Sequence, residues 1–290
     1  MTSMFTDVLG AGPASIATAF VPDRHHFSGR GGKDVNPLWR DAAATAPNLP
    51  ATLLACLGQR MGVEVSAPDL FAYTYGLVSA TAYTEMYADE LTLPPLRLPI
   101  SADAALFAEV AAAGPQLLWW HTYGERFVPA GQLRGRLPPG RARSVVGIAD
   151  AGLPESFEWV PDSADPGSGV LHIGAGRIAP VSRAVWAFSV SGYPVLASWL
   201  SSRMQRRSGK KSSTLDELRP LSWDATMSQE LRELIWVLEA TVDAQPRLNA
   251  LLVQVVAGPM MAADQLPLPT DLERLPPGDD DEALAQQPLI

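Results

Sequence analysis

From Gln229 to Val255 the chain carries one apolar stripe: Leu231, Leu234, Ile235, Leu238 and Val242, then, past Pro246, Leu248, Leu251, Leu252 and Val255. Steps of three and four residues put these side chains on one face of a helix, and such a helix is stable in water only when that face is covered. The rest of the chain must supply the cover, and it does so in short pieces punctuated by proline and glycine. Pro246 itself is expected to kink or restart the helix.

The other helical patterns are shorter. Pro50 fits a first turn, and Leu53, Leu54, Leu57 and Met61 repeat at helical spacing up to Gly62. After Ser66-Ala-Pro-Asp69 the run Leu70, Tyr73, Leu77 and, past a break near Ser79, Tyr83 and Tyr87 predicts two helices. Ser101 to Ala113 predicts another, stopped by Gly114-Pro115, with LLWWHTYGERF resuming at Leu117. Gly192-Tyr-Pro194 opens a helix with Val195, Leu196, Trp199, Leu200 and Met204 inward. Thr214-Leu-Asp-Glu217 and Thr226-Met-Ser-Gln229 both fit a capping box.

Strand signals are fewer. VLHIGAGRIAPV at Val170 to Val181 reads as a hairpin around Gly174-Ala-Gly176, short strands are expected near 17 to 22, and one more at Ser144 to Ile148 within an otherwise loop-like stretch, 128 to 169. The expected fold class is α+β: a mainly helical single domain with a few short strands and long Pro/Gly-rich loops. The expected organisation is an irregular N-terminal segment (1–16), one domain (17–257) and an acidic, Pro-rich tail (258–290) too poor in apolar surface to order itself.

Charge must be read by position. The 290 residues carry a net −9, of which −6 falls from Asp264 onward. The remainder is nearly balanced, and its bases are grouped. Arg203, Arg206, Arg207, Lys210 and Lys211 follow one another with no acid between them, and Arg126, Arg134, Arg136, Arg141 and Arg143 repeat the pattern. No uninterrupted apolar run is long enough to cross a membrane, and the N-terminus lacks a basic segment ahead of an apolar one, so the cytoplasm is the expected location. Cys56 stands alone, which excludes an intrachain disulfide, and its apolar neighbours predict a buried small hydrophobe.

Catalytic signatures fail one after another. There is no Gly-x-Ser-x-Gly elbow and no His-Glu-x-x-His, and Gly209-Lys-Lys-Ser-Ser213 lacks the upstream glycine of a phosphate-cradling loop. His25-His26 has no acidic partner at ligand spacing, so no metal is expected. Pro22-Asp23 is not followed by the acid-x-Lys of a nuclease core, since Gly31-Gly32 precede Lys33. Asn36-Pro-Leu-Trp39 has leucine where a base-flipping methyltransferase loop has a second proline, and no cofactor-binding glycine loop precedes it. For residues 203 to 211 two readings weigh equally: cations tracking a phosphate backbone, or a solvated helix end favoured by the dipole.

Taken in order, several segments resemble the C-terminal target-recognition (specificity) domain of Type ISP restriction-modification enzymes. They are DRHHFSGRGGKDVNPLWRD (Asp23 to Asp41), DLFAYTYGLVSATAYTEMYADELTLPPLRLPIS (Asp69 to Ser101), LFAEVAAAGPQLLWWHTYGERF (Leu106 to Phe127), VWAFSVSGYPVLASWLSSRM (Val185 to Met204) and ELIWVLEATV (Glu233 to Val242). The resemblance implies a non-catalytic module that reads double-stranded DNA for an adenine-N6 methyltransferase, in restriction-modification or a related phage defence. In that family the nuclease, translocase and methyltransferase lie ahead of this domain. Their motifs are missing from this chain, so the resemblance implies a detached specificity domain with no cofactor of its own, either working with a methyltransferase made as a separate chain or left over from a broken gene.

Such a module needs cations on phosphates and a few side chains on base edges. The candidates by chemistry are Arg24, His25, Arg30 and Lys33 in the glycine-rich loop, and Arg203, Arg206, Arg207, Lys210 and Lys211 after the Trp199 helix. A competing reading, favoured by the acidic balance, is a helical protein-protein adaptor of a defence system that never touches DNA.

Overall fold

The computed structural model describes residues 2–4, 10–22, 33–92, 97–125, 133–148, 152–205, 221–270 and 273. The chain divides into two compact units: unit 1 is Met1–Leu9, Pro13–Leu118 and Pro246–Ile290, and unit 2 is Gly10–Gly12 and Trp119–Gln245. Helices dominate and the strands are short and antiparallel, as the α+β expectation requires.

Unit 1 opens with a small sheet in which β1 (Thr2–Met4) lies between β2 (Ser15–Ile16) and β3 (Lys33–Val35). The strand expected near 17 to 22 does not form; β2 ends at Ile16, just before it. Helix α1 (Ala51–Met61) ends on Gly62, as its spacing predicts. Helix α2 (Ala67–Val78) begins at a capping box in which the Ser66 hydroxyl accepts from the Asp69 amide at 3.2 Å and Asp69 Oδ2 accepts from the Ser66 amide at 3.1 Å. It stops at Ser79, and α3 (Thr81–Met86) follows, the two helices expected around that break.

The tyrosines of these helices are buried and each phenol has a backbone partner. Tyr73 donates to the Pro99 carbonyl at 2.9 Å and accepts from the Ser101 amide at 3.0 Å, Tyr75 accepts from the Ala17 amide at 3.1 Å, and Tyr83 donates to the Arg97 carbonyl. Burial pushes all three phenols up, Tyr73 to about 12. The tyrosine-rich stretch thus ties the extended chain at 97–101 to α2 and α3.

Helix α4 (Ala104–His121) corrects the expected stop at Gly114-Pro115, for it runs straight through both residues. A Cβ on Gly114 would lie 2.4 Å from the Ala72 carbonyl oxygen and 2.7 Å from its Cα, so the glycine is there to let the α4 and α2 backbones touch. Tyr73 stacks on Phe107 across the same contact at 4.4 Å. Beyond Pro115, Leu117 and Leu118 are buried, which offsets the roughly 3 kcal/mol that an internal proline costs a helix.

The same balance governs α7 (Ala225–Ala257), which is one unbroken helix through Pro246 because Leu248, Leu251, Leu252 and Val255 are all buried beyond it. Its start also differs from the expected capping box at Thr226: Asp224 Oδ1 accepts from the Met227 amide at 2.7 Å, so the cap lies two residues earlier. The Thr214 capping pattern lies outside the described residues. Within unit 1, residues after Gly258 pair with the segment ahead of α4, the Ala102 amide donating to Pro259 O and the Met261 amide to Ile100 O, both at 2.8 Å. Cys56 is half-buried rather than fully buried, its Sγ 3.6 Å from the Gln265 carbonyl.

Unit 2 is built on a four-stranded antiparallel sheet in the order β4 (Arg143–Val146), β7 (Gly176–Ala179), β6 (Gly169–Ile173), β5 (Phe157–Pro161). The β6–β7 hairpin falls where the sequence places it. Strand β5 was not expected in a stretch so rich in Pro, Gly and Asp; it forms because Phe157-Glu-Trp159 alternates and pairs residue for residue with β6. Leu171, Ile173 and Ile178 point inward onto Leu196 and Leu200 of α6 (Val195–Ser201) and onto Leu231, Leu234, Ile235 and Leu238 of α7, with Trp223 buried among them. Between sheet and helix lie α5 (Arg183–Trp186) and the short ribbon β8 (Ser189–Val190) and β9 (Tyr193–Pro194) in sequence.

Candidate nucleic-acid interface

Of the residues singled out by sequence, Arg24, His25, Arg30, Arg206, Arg207, Lys210 and Lys211 lie outside the described residues. Lys33 starts β3, opposite Met4 of β1, in unit 1. Arg203, in unit 2, is spoken for by its own surroundings. Its guanidinium lies 3.7 Å from the Trp199 ring centroid, donates from Nη1 to Trp199 O at 3.3 Å and to Ser202 Oγ at 3.0 Å, and approaches Glu230 at 3.8 Å. Burial pushes its pKa down, yet guanidinium stays charged at any physiological pH. The Trp199 ring packs on the core of unit 2 and meets Trp223 edge-on at 5.9 Å, the core role its spacing predicts.

Of the second arginine group noted in the sequence, Arg126 lies outside the described residues, and Arg134, Arg136, Arg141 and Arg143 fall on one surface of unit 2. Residues 133–142 run along α7 before entering β4, and a groove of about 400 Å³ is lined by Arg134, Arg136, Leu137, Arg232, Glu233 and Trp236. Two carboxylates of α7 hold the segment that borders it. Arg134 Nη2 donates to Glu233 Oε2 at 2.6 Å and its Nη1 to the Tyr123 carbonyl at 3.3 Å, while Arg141 forks onto Asp243 at 2.8 and 3.2 Å, which raises the Arg141 pKa. The C-terminal end of this segment is held on α7: Glu239 accepts from the amides of Arg141 and Ala142, and the Trp236 indole donates to Ala142 O at 2.9 Å.

Trp236 is flanked by two guanidiniums, Arg143 and Arg232, each 5.7 Å from its ring. Arg143 also donates to the carbonyls of Gly140, at 2.5 Å, and Ala142, at 2.9 Å. Arg136 and Arg232 have no carboxylate partner among the described residues. Sequence reasoning found the loop arginines but not Arg232 and Trp236. Their signal was present: a tryptophan four residues after an arginine, beside the apolar stripe of α7 instead of within it.

No cluster of three or more His, Cys, Asp or Glu that could hold a metal occurs among the described residues, and no helix among them is long and apolar enough to cross a membrane. The chain belongs to the Type ISP C-terminal specificity domain family, whose model matches residues 3–235.

Among solved structures the chain is similar to the DrdV–DNA complex determined by cryo-electron microscopy, with 17% identity, a TM-score of 0.49, and coverage of 68% of this chain and 19% of that one. It is similar also to a nuclease-deletion mutant of the Type ISP restriction-modification enzyme LlaGI in complex with a DNA substrate mimic, with 15% identity, a TM-score of 0.49, and coverage of 88% and 21%. The ATP-dependent Type ISP enzyme LlaBIII bound to DNA gives 15%, 0.41, and 70% and 12%. The chain thus spans about a fifth or less of the length of these structures. No curated protein matches it.

Proposed function

We propose that this chain is the DNA sequence-recognition module of a restriction-modification or related phage-defence system, that it binds double-stranded DNA for an adenine-N6 methyltransferase, and that it performs no catalysis itself. The single observation that carries this reading is the family match over residues 3–235. The grouped arginines support it, because guanidiniums fork onto phosphate oxygens and guanine edges. Arg24, His25, Arg30 and Lys33 would meet DNA from the glycine-rich loop, and Arg206, Arg207, Lys210 and Lys211 from the segment after α6. Arg203, held on Trp199, would anchor that second segment.

The test is a titration of the full chain with duplex DNA over a range of salt. Each phosphate neutralised adds about 0.9 to the slope of log affinity against log salt. Charge reversal at Arg206 and Arg207 should weaken binding far more than reversal at Arg60, in the last turn of α1, or at Arg247, which faces Glu109 at 3.8 Å. Four folded variants that bind alike would remove Arg206 and Arg207 from the interface. A parent that binds no duplex at any salt would favour the adaptor reading.

A further inference from the structure

We infer that the groove between residues 134–137 and helix α7 is a seat for a DNA sugar-phosphate strand, with Arg136 and Arg232 contacting phosphates and Trp236 and Glu239 as positioning residues. The inference rests on the DNA reading above and adds a site that the glycine-rich loop and the segment after α6 do not include. Three features converge on it.

The first is charge that is not already neutralised. The groove holds three arginines against Glu233, and Glu233 is taken by Arg134. Arg136 is exposed and Arg232 half-buried, neither has a carboxylate partner among the described residues, and a phosphate oxygen is the acceptor that matches a guanidinium fork.

The second is rigidity. A cation on a floppy loop loses side-chain and backbone entropy when it binds, whereas this loop is already held: Glu239 takes the Arg141 and Ala142 amides, Trp236 takes Ala142 O, and Gly140 leaves no room between them, since a Cβ there would lie 2.0 Å from Glu239 Oε2. The third is the aromatic ring. Trp236 has the guanidiniums of Arg143 and Arg232 each 5.7 Å from its ring, so that its indole restrains both cations without neutralising them.

A groove that offers cations and one restrained ring, with only Gln229 among its uncharged polar side chains, suits a backbone, which sets register, better than a base edge, which must be read by donor and acceptor pattern. The contribution of Arg136 and Arg232 should therefore be independent of DNA sequence.

The experiment uses the full chain and a random-sequence duplex pool, from which bound sequences are selected and whose affinity is measured across salt. Arg136→Gln and Arg232→Gln should each lower the salt slope by about 0.9 and weaken binding to every duplex alike, while enriching the same sequences as the parent. A changed set of enriched sequences would overturn the backbone role and make the groove a base reader. Unchanged affinity and slope in variants of a parent that does bind would show that DNA does not enter the groove. A parent that binds no duplex would sink the DNA reading itself, and the groove with it. Arg136 is exposed and has no ion-pair partner among the described residues, so Arg136→Gln carries the test even if Arg232→Gln lowers the thermal midpoint.

Discussion

The carboxylate of Glu239, 4% exposed on α7, accepts hydrogen bonds from the backbone amides of Arg141 and Ala142, at 2.5 and 3.1 Å, and so fixes a loop about a hundred residues earlier in the chain. Removing the acceptor leaves two amides facing a hole. Glu239→Ala should lower the unfolding free energy by about 2 to 4 kcal/mol, read from urea unfolding, in line with two amides left without an acceptor. Gly140→Ala should loosen the same loop from the other side, because its methyl would collide with Glu239 Oε2 and with Trp236 Cδ1, at 2.0 and 2.7 Å. If either variant melts like the parent, the loop is not held in this way.

Gly114 offers a test with an inverted sign. In an ordinary helix interior Gly→Ala stabilises by about 1 kcal/mol. Here the new methyl would meet the Ala72 backbone at 2.4 Å, and backbone cannot step aside as a side-chain tip can. Gly114→Ala should destabilise by about 1 to 3 kcal/mol, the usual range for overpacking, measured by urea unfolding. A stabilised variant would mean that α2 and α4 do not touch at this point.

His121 makes stability depend on acidity. Its Nε2 lies 2.8 Å from Thr241 Oγ1, whose proton goes to Val237 O, so the ring is the donor and is neutral with the proton on Nε2. Burial pushes its pKa from the ordinary 6.5 down to about 4. The unfolded chain takes up this proton first as pH falls, so stability is lost between pH 6.5 and 4, at up to roughly 1.4 kcal/mol per pH unit. His121→Gln keeps a donor for Thr241 and cannot titrate. Its unfolding midpoint should fall less steeply than the parent's over that window; parallel pH profiles would count against a buried neutral ring.

Helix α1 is capped by the acidic tail. Pro50 offers no capping side chain, and the first turn of α1 has no acid. Glu273 takes that place, accepting from the Thr52 amide at 3.3 Å and its hydroxyl at 3.1 Å, and from the Thr270 amide at 2.8 Å. These bonds hold its carboxyl down at about 2, so the contact is complete at neutral pH and is lost as pH falls from about 4.5 through 2. Glu273→Gln should speed hydrogen exchange at the Thr52 amide at neutral pH, where the parent protects it. Equal exchange in both proteins would dismiss the cap.

What the sequence determined alone is what local spacing controls. The stripe of α7, the turn at Gly62, the break at Ser79 and the β6–β7 hairpin are each specified by residues within a few positions of one another, and all form where their patterns put them. The family, too, was legible, since its segments are contiguous. Tertiary structure decided what depends on distant partners. Gly114-Pro115 reads as a stop until Ala72 lies against it; Pro246 reads as a break until four buried side chains follow it; Phe157 to Pro161 reads as loop until β6 supplies a ladder. The groove is of this second kind. Arg136 and Arg232 line one groove because Glu239 and Trp236 hold a loop from about a hundred positions earlier, and no periodicity encodes a hydrogen bond over that separation.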